Sequence, residues 1–310
     1  MKYLFGPVNS RRLGISQGVD LVPPKICNYN CIYCEVGATT TLTCERKEYI
    51  PTRELIAEID QLLTDSKLIE HLDIFTITGS GEPTLHCDLG KIIRYIKEKT
   101  NKPVAVLTNG SLLYLPEVQQ DLAAADIIIP SLDAAREESY RRINRAASCA
   151  PLTELIAGLI EFRRSFRGKF WLEILIAKNI NDAPEDITAL VQAVEKIQPD
   201  KVQLNTVVRP PLENFATPLT QLELEAIAGQ FTVPVEILVD FTTRNKEKHR
   251  SVSENDILEM LKRRPCTAID VSEALNMAPE SAEALLNQMT DKGHITLKSH
   301  HGKEYYQTNR

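Results

Sequence analysis

The chain has 310 residues, 43% of them hydrophobic, and a formal net charge of −6 at pH 7. Its length can bury the cores of one large and one small domain, and its acidic balance gives no overall basic field for nucleic acid or anionic membranes. The first residues lack the apolar core of a signal sequence and no apolar run could cross a bilayer, so we expect a cytoplasmic protein without membrane contact, whose seven cysteines form no disulfide framework.

The first predicted element is a strand in the sequence GVDLVP, residues 18–23, and it leads into three closely spaced cysteines. Cys27, Cys31 and Cys34 form the pattern C-x3-C-x2-C, which favours a metal or redox role. Structural zinc takes four ligands, usually from two C-x2-C pairs, so zinc is the weaker interpretation here. A [4Fe-4S] cluster normally has four thiolate ligands, so three cysteines would leave one iron open to a substrate or cofactor. Buried structural cysteines are the remaining alternative, but the loop between them is polar.

The other four cysteines are isolated in sequence and show no ligand spacing; they are Cys44, Cys87, Cys149 and Cys266. We predict that they are structural. For Cys44 there is an alternative to a structural role, because it could approach the three-cysteine loop. No second cluster is expected.

From residue 53 to about residue 240, apolar runs alternate with segments of helical period, which is typical of a parallel sheet with crossover helices. The later predicted strands are 72–78, 104–109, 126–132, 170–177, 201–207 and 235–241. Helices with a continuous apolar stripe are predicted at 52–63, 89–99 and 185–197. This α/β pattern predicts a full or partial (β/α) barrel, although an open doubly wound sheet has the same local pattern.

The sequence GSGEPT follows the strand at 72–78. Ser80 and Gly81 would let the backbone approach a ligand closely, and Glu82 offers a carboxylate where an ammonium group could bind. Taken alone, such a sequence could equally be an ordinary turn. Its position one β/α unit after the cysteines favours a ligand site.

Polar residues also follow the next two strands, at the edge of the sheet where ligands bind in such folds. Asn109, Ser131 and Asp133 are therefore candidates for polar contacts. The alternatives are structural: Asn109 could shape a turn with Gly110, and Asp133 could cap a helix that begins at 134.

The pattern changes after residue 241. Residues 242–250 are polar and mostly basic, and we interpret them as a linker. Residues 251–310 predict three helices and a two-strand ribbon that turns at His301-Gly302, an arrangement that resembles the winged-helix module. Such a module could bind nucleic acid, but Glu280 and Glu283 lie on the presumed recognition helix, so protein contact, self-association or substrate positioning is favoured.

The cysteine pattern, GSGEPT and the Ser-Leu-Asp at 131–133 together resemble the radical S-adenosylmethionine (radical SAM) superfamily, over about residues 1–240. This resemblance implies a [4Fe-4S] cluster whose open iron binds SAM, and a full or partial barrel over residues 1–241. It implies reductive cleavage of SAM to a 5′-deoxyadenosyl radical, which abstracts hydrogen from a substrate, and an electron donor such as flavodoxin or ferredoxin. The N-terminal sequence resembles most a bacterial and archaeal subgroup, sometimes called Fe-S oxidoreductases, related to the wybutosine-synthesis enzymes that modify transfer RNA.

The resemblance also implies individual roles. The cluster ligands would be Cys27, Cys31 and Cys34, with Tyr33 against the adenine of SAM. The SAM-binding residues would be Tyr33, Ser80, Gly81, Glu82, Asn109, Ser131 and Asp133. Ser80 stands where the wider family has glycine, and Glu173 stands where some relatives have asparagine, which leaves the role of Glu173 open.

Other interpretations remain at this point. An iron-sulfur sensor could act on nucleic acid through the winged helix, and a zinc-stabilised binding protein would have no catalysis. Arg11 and Arg12 could hold an anionic group or be surface charges beside a turn. The Arg-Pro-Pro at 209–211 could help close the site or merely end a strand.

Overall fold

The computed structural model describes residues 1–10, 12–238, 253–275, 277–300 and 302–308. The strands are β1 (Leu4–Ser10), β2 (Gly14–Val19), β3 (Ile26–Cys27), β4 (Thr41–Leu42), β5 (Ile74–Ile77), β6 (Val104–Thr108), β7 (Ile127–Pro130), β8 (Lys169–Ile176), β9 (Lys201–Thr206), β10 (Val235–Ile237), β11 (Ile295–His300) and β12 (Lys303–Thr308). The α-helices are α1 (Thr52–Leu63), α2 (Ser66–His71), α3 (Leu89–Thr100), α4 (Pro116–Leu122), α5 (Glu137–Ile143), α6 (Leu152–Ser165), α7 (Pro184–Ile197), α8 (Gln221–Ala228), α9 (Glu254–Arg263), α10 (Ala268–Leu275) and α11 (Pro279–Asp291). Within these described ranges, no helix is both long and apolar enough to span a bilayer.

The main sheet has eight strands in the order β1-β2-β5-β6-β7-β8-β9-β10. From β2 onward neighbouring strands are parallel, and only β1 pairs antiparallel with β2. A doubly wound sheet reverses its strand order at a switch point, whereas these strands follow the chain order without reversal. The α/β prediction is therefore confirmed in its partial-barrel form, and the doubly wound alternative is wrong.

The sheet curves strongly, and Arg12 shows by how much. This residue lies in the turn between β1 and β2, yet its guanidinium donates to Glu173 on β8 and, at 3.1 Å, to Gln203 on β9. In a flat sheet β2 and β9 would be roughly 24 Å apart, because neighbouring strands are spaced at about 4.8 Å. One side chain can bridge them only because the sheet wraps around as part of a barrel.

The two faces of the sheet have different packing. The outer face packs against the helices in one large core, to which the predicted stripes of α1, α3 and α7 contribute. The inner face has a smaller apolar cluster made by Ile74, Ala105, Ile127 and Ile129, with Leu13, Leu107 and Trp171 packed against it. The helices therefore cover one face only, and the inner face remains for a site.

Two predicted strands differ from the structure. The strand predicted at 18–23 is instead β2 at Gly14–Val19, because Pro23 and Pro24 cannot continue a central strand and the chain turns before them. The final strand ends at Ile237 and Leu238 already lies in a turn, whereas residues 239–241 of the predicted strand and the predicted linker at 242–250 lie outside the described residues.

The C-terminal segment forms a separate small core from α9, α10, α11 and the ribbon β11–β12. Ser253 caps α9 and forms a capping box with Asp256, as the serine before this helix predicts. Gly302 adopts a positive φ of 73° at the ribbon turn, while His301 lies outside the described residues. Val8 of β1 packs against this small core, so the segment lies directly on the edge of the sheet.

The expectation that the cysteines form no disulfide framework did not foresee one disulfide. Cys44 and Cys149 form a disulfide across 105 residues of sequence. Cys44 lies just after β4, and Cys149 lies in the loop between α5 and α6. Sequence spacing carries no information about this pairing, because the two cysteines meet only through the fold.

Candidate active site

The three-cysteine loop is held from both sides by backbone hydrogen bonds. On one side, Glu82 N donates to Ile26 O at 3.1 Å, which ties the loop to the GSGE sequence. On the other side, Ile32 N donates to Ile143 O at 3.0 Å, at the end of α5. Within the loop, Cys34 N donates to Cys31 O at 3.1 Å. The cysteines are thus fixed between two β/α units at the carboxyl edge of the sheet.

Each of the three sulfurs accepts a hydrogen bond from a nitrogen. The pairs are Tyr29 N to Cys27 Sγ at 3.4 Å, Asn144 Nδ2 to Cys31 Sγ at 3.6 Å and Lys25 Nζ to Cys34 Sγ at 3.4 Å. Hydrogen bonds of this kind stabilise thiolates and tune iron-sulfur clusters. The surroundings of all three sulfurs are therefore suited to metal-bound thiolates.

Burial opposes ionisation of the Cys27 and Cys31 thiols in the absence of a cation. It raises the pKa of Cys27 to about 12, with a further contribution from the Glu82 carboxylate, and it raises the pKa of Cys31 well above its usual range. A metal-bound thiol loses its proton because the metal charge compensates for this burial. Binding of metal here must therefore release protons.

The other cysteines offer no fourth ligand. Cys44 and Cys149 are bonded to each other, Cys87 is exposed, and Cys266 lies in the core of the C-terminal segment. Within the described ranges, no three His, Cys, Asp or Glu side chains gather around the position of a single metal ion. The donor set is three thiols with N–H partners, which fits a [4Fe-4S] cluster with one iron free of protein ligands.

Glu82 joins two of the strand-end loops. Its Oε1 accepts from Thr84 N at 3.0 Å and from the Thr108 hydroxyl at 2.5 Å, and its Oε2 accepts from Asn109 N at 2.8 Å. Burial raises the pKa of this carboxyl, while these donors oppose that rise. Oε2 has only the Asn109 partner among the described residues, so it retains capacity for a further donor.

Gly81 has no room for a side chain. A Cβ at this position would collide with Ile26 O and would lie 2.7 Å from Val22 Cγ2. Glycine is therefore required because the GSGE loop crosses directly against the chain that enters the cysteine loop. Ser80 supports the same crossing, since its carbonyl accepts from Lys25 N at 2.7 Å.

Asn109 belongs to a buried amide network beside Cys27. Its Nδ2 donates to Asn28 Oδ1 at 2.6 Å and lies 3.8 Å from Cys27 Sγ, while its Oδ1 accepts from Ser111 N at 3.0 Å. Asn109 therefore shapes the turn at Gly110, as the structural alternative predicts, and it also contacts the three-cysteine loop.

Asp133 contacts Tyr33 and does not cap a helix, because α5 begins only at Glu137. Its Oδ2 accepts from the Tyr33 hydroxyl at 2.6 Å and from Asn144 Nδ2 at 2.7 Å, and its Oδ1 accepts from Leu175 N at 2.9 Å. Burial raises the pKa of Asp133 to about 6. The carboxyl thus orients the tyrosine before the last cysteine and the amide that donates to Cys31.

Ser131 begins a polar row across the inner face. The register aligns Ser131 with Glu173, Glu173 with Gln203, and Gln203 with Glu236 on successive strands. Arg12 pairs with Glu173, and the side chains of both residues are 20% exposed. The interpretation of Arg12 as a surface charge is wrong, because it lies inside the curve of the sheet. Arg11 lies outside the described residues.

Sequence reasoning missed Lys25 and Asn144, which donate to the sulfurs. Lys25 does stand beside a proline near a strand end, but this signal is too common to select it. Arg209, in the Arg-Pro-Pro that could help close the site, reaches Glu35, which follows Cys34 directly, at 3.2 Å. Only the fold brings Asn144 and Arg209 to the loop.

Comparisons with known proteins agree with this site. The family model of the radical SAM superfamily matches residues 21–191. The chain is 37% identical, over 99% of its length, to a protein named GTPase Obg of Brachyspira hyodysenteriae, but it spans only 45% of that relative. It is 30% identical to a UPF0026 protein of Methanocaldococcus jannaschii, with 100% of this chain and 97% of the relative covered. A radical SAM methyltransferase from Sphaerobacter thermophilus has a similar fold, with a TM-score of 0.55, 17% identity, and coverage of 72% of this chain and 65% of that one.

The family match begins just after β2 and ends within α7, and it includes all three cysteines, Glu82 and Asp133. Members of this family use a [4Fe-4S] cluster and SAM, which is the cofactor pair that the three-thiol donor set fits. The chain belongs to the radical SAM superfamily of enzymes.

Proposed function

We propose that this cytoplasmic enzyme cleaves SAM reductively and uses the resulting 5′-deoxyadenosyl radical to abstract hydrogen from a substrate. One observation carries the proposal: three thiols in one loop each accept a nitrogen hydrogen bond, and among the described residues no fourth cysteine joins them. When bound, the cluster supplies the electron and the open iron position that SAM requires. A small electron-transfer protein, such as a flavodoxin or ferredoxin, would deliver the electron.

The remaining residues have roles in binding and orientation. Cys27, Cys31 and Cys34 would hold the cluster, and the free capacity of Glu82 Oε2 suits the ammonium group of SAM. Ser80 and Gly81 bring the backbone close, while Asp133 holds Tyr33 by its hydroxyl, so that the ring is fixed where it could lie against an adenine. Ser131 and Asn109 would contact SAM or the substrate at the inner face.

The polar row is where we propose that the substrate meets the protein. Glu173 and Arg12 neutralise each other, and Gln203 and Glu236 continue the row through a hydrogen bond of 3.0 Å. A pair of opposite charges next to an amide favours a polar group without strong net charge. A nucleobase of RNA and other uncharged polar molecules offer such a group.

Anaerobic reconstitution with iron and sulfide tests the proposed reaction. We expect a brown chromophore that, after reduction, converts SAM to methionine and 5′-deoxyadenosine, which chromatography detects. Substitution of Cys27, Cys31 or Cys34 by Ala should abolish both the chromophore and the cleavage, because each removes one of three ligands. Cys87→Ser provides the matched control, since Cys87 is an exposed cysteine outside the loop.

Two results would count against the proposal. A colourless protein that holds zinc would show that the loop is a zinc site, and a cluster that never cleaves SAM would favour an iron-sulfur sensor. The sensor has little support in the C-terminal segment, where Glu280 and Glu283 lie exposed on α11 in the position of a recognition helix. Contact with the barrel or with another protein suits this winged-helix-like segment better than nucleic acid.

A further inference from the structure

Arg209 lies between two carboxylates from distant parts of the chain. Its Nη1 is 3.2 Å from Glu35 Oε1, and its Nη2 is 3.2 Å from Asp270 Oδ1. Glu35 follows the cluster cysteine Cys34, whereas Asp270 lies on α10 of the C-terminal segment. One guanidinium therefore connects the cysteine loop to the small domain.

This arrangement is buried. The side chains of Arg209 and Asp270 are 5% and 7% exposed, and that of Glu35 is 32% exposed. Burial alone would lower the pKa of Arg209, but Glu35 and Asp270 raise it above its usual range. Burial likewise would raise the pKa of Asp270, but Arg209 lowers it below its usual value. The charges depend on one another, because a buried charge that loses its partner is strongly disfavoured.

The backbone around Arg209 also contacts both the cysteine loop and the C-terminal segment. Glu213 N donates to Ile32 O, inside the cysteine loop, at 2.9 Å. On the opposite side, the Tyr305 hydroxyl on β12 donates to Val208 O at 2.6 Å. Residues 208–213 therefore lie between the cysteine loop and the C-terminal segment and contact both.

A narrow cleft of about 160 Å³ lies at this junction. Cys34 and Pro211 line it from the barrel, and Pro265, Lys298 and Gln307 line it from the C-terminal segment. The C-terminal segment thus lines the same cleft as Cys34, the third cysteine of the loop. The two parts of the chain are more than two hundred positions apart in sequence.

We propose that Arg209 is a positioning residue for the cluster loop, and that through Asp270 the C-terminal domain holds the loop that presents Cys34. This inference rests on the proposed function for the role of Cys34, but not for the mechanical connection. Arg209 suits the task because a planar guanidinium can meet two carboxylates at once, which a lysine ammonium does less well. The small domain is thereby part of the cluster site.

The test uses Asp270→Asn in the full-length, metal-free protein, followed by hydrogen exchange with mass spectrometry. Asparagine keeps the side-chain volume and an acceptor for Thr267, but loses the charge that faces Arg209. Exchange of residues 32–37 should become at least about tenfold faster, since the loop would open more often. After anaerobic reconstitution, the same variant should retain less iron per chain.

Asp256→Asn is the matched control. It makes the same change at the capping box of α9 in the same domain, where the carboxylate accepts from Ser253. Exchange of residues 32–37 at the normal rate in Asp270→Asn, or equally fast exchange in both variants, would overturn the proposal. Should Asp270→Asn fail to fold, Arg209→Lys serves instead and is expected to loosen residues 32–37 in the same way. Because exchange is read without metal or SAM, a failure of SAM cleavage leaves this result unaffected.

Discussion

At the scale of single residues, the site depends on side chains that hold other side chains. Asp133 orients Tyr33 and Asn144, and Asn144 in turn donates to Cys31. Glu82 accepts hydrogen bonds from Thr84 N and Asn109 N in two different loops, and its Oε2 can accept one more. Polar residues beside the three-cysteine loop therefore fix its shape through hydrogen bonds within the protein, whatever contacts to SAM they are proposed to make.

Gly81→Ala should damage this arrangement, because the added methyl group meets a backbone carbonyl that cannot rotate away. We expect a loss of roughly 1–3 kcal/mol in the free energy of unfolding and a lower iron content after reconstitution. Denaturant unfolding of the metal-free protein and iron analysis would measure the two effects. Gly229→Ala is the control, because the nearest atom to its Cβ would be 3.6 Å away, and it should leave both values nearly unchanged. Equal behaviour of the two variants would contradict the close crossing at Gly81.

At the scale of elements, the turn of the β1–β2 hairpin faces the strands β8 and β9 across the inside of the partial barrel. Arg12 is the side chain that joins them, through Glu173 and Gln203. Without such a contact the hairpin would rely on the pairing of β1 with β2, on the C-terminal segment and on Glu58 of α1, which accepts from Leu4 N at 3.2 Å. The polar row on the inner face is thus both a structural link and a surface for ligands.

Arg12→Met should weaken this link while keeping the length of the side chain. The side chains of Arg12 and Glu173 are each 20% exposed. We therefore expect a loss of roughly 1–3 kcal/mol in the free energy of unfolding, between the values for exposed and fully buried ion pairs. Arg141→Met removes an exposed helical pair with Glu137 and should cost at most about 0.5 kcal/mol. Urea unfolding followed by circular dichroism measures the free energy of unfolding of both variants. If Arg12→Met loses no more than Arg141→Met, the pair of Arg12 with Glu173 does not hold the hairpin.

At the scale of the whole molecule, the C-terminal segment is joined to the barrel at two places by ion pairs. Arg209 meets Asp270, and Arg263 on α9 meets Asp20 at 2.8 Å while its guanidinium lies 4.0 Å from the centre of the Phe5 ring. A cavity of about 660 Å³ between the same two parts is lined by Tyr3, Ser80 and Lys262, among others.

This interface predicts cooperative unfolding. Calorimetry of the metal-free protein should show one transition, because neither part can unfold without leaving buried charges at the interface unpaired. In the double variant Arg209→Met/Arg263→Met, the small domain should melt separately and at a lower temperature. Two transitions already in the unaltered protein would mean that the domains are energetically independent.

The fold class, the order of most strands and the three-cysteine loop were predictable from the sequence, because each of these is encoded in local spacing. Apolar runs mark buried strands, and C-x3-C-x2-C places its three thiols in one short loop without help from distant residues. The partial-barrel form, the pairing of Cys44 with Cys149, and the connections that Arg12 and Arg209 make follow from the tertiary structure alone. These contacts join residues up to 191 positions apart, and they exist only because the sheet curves and the small domain lies against its edge.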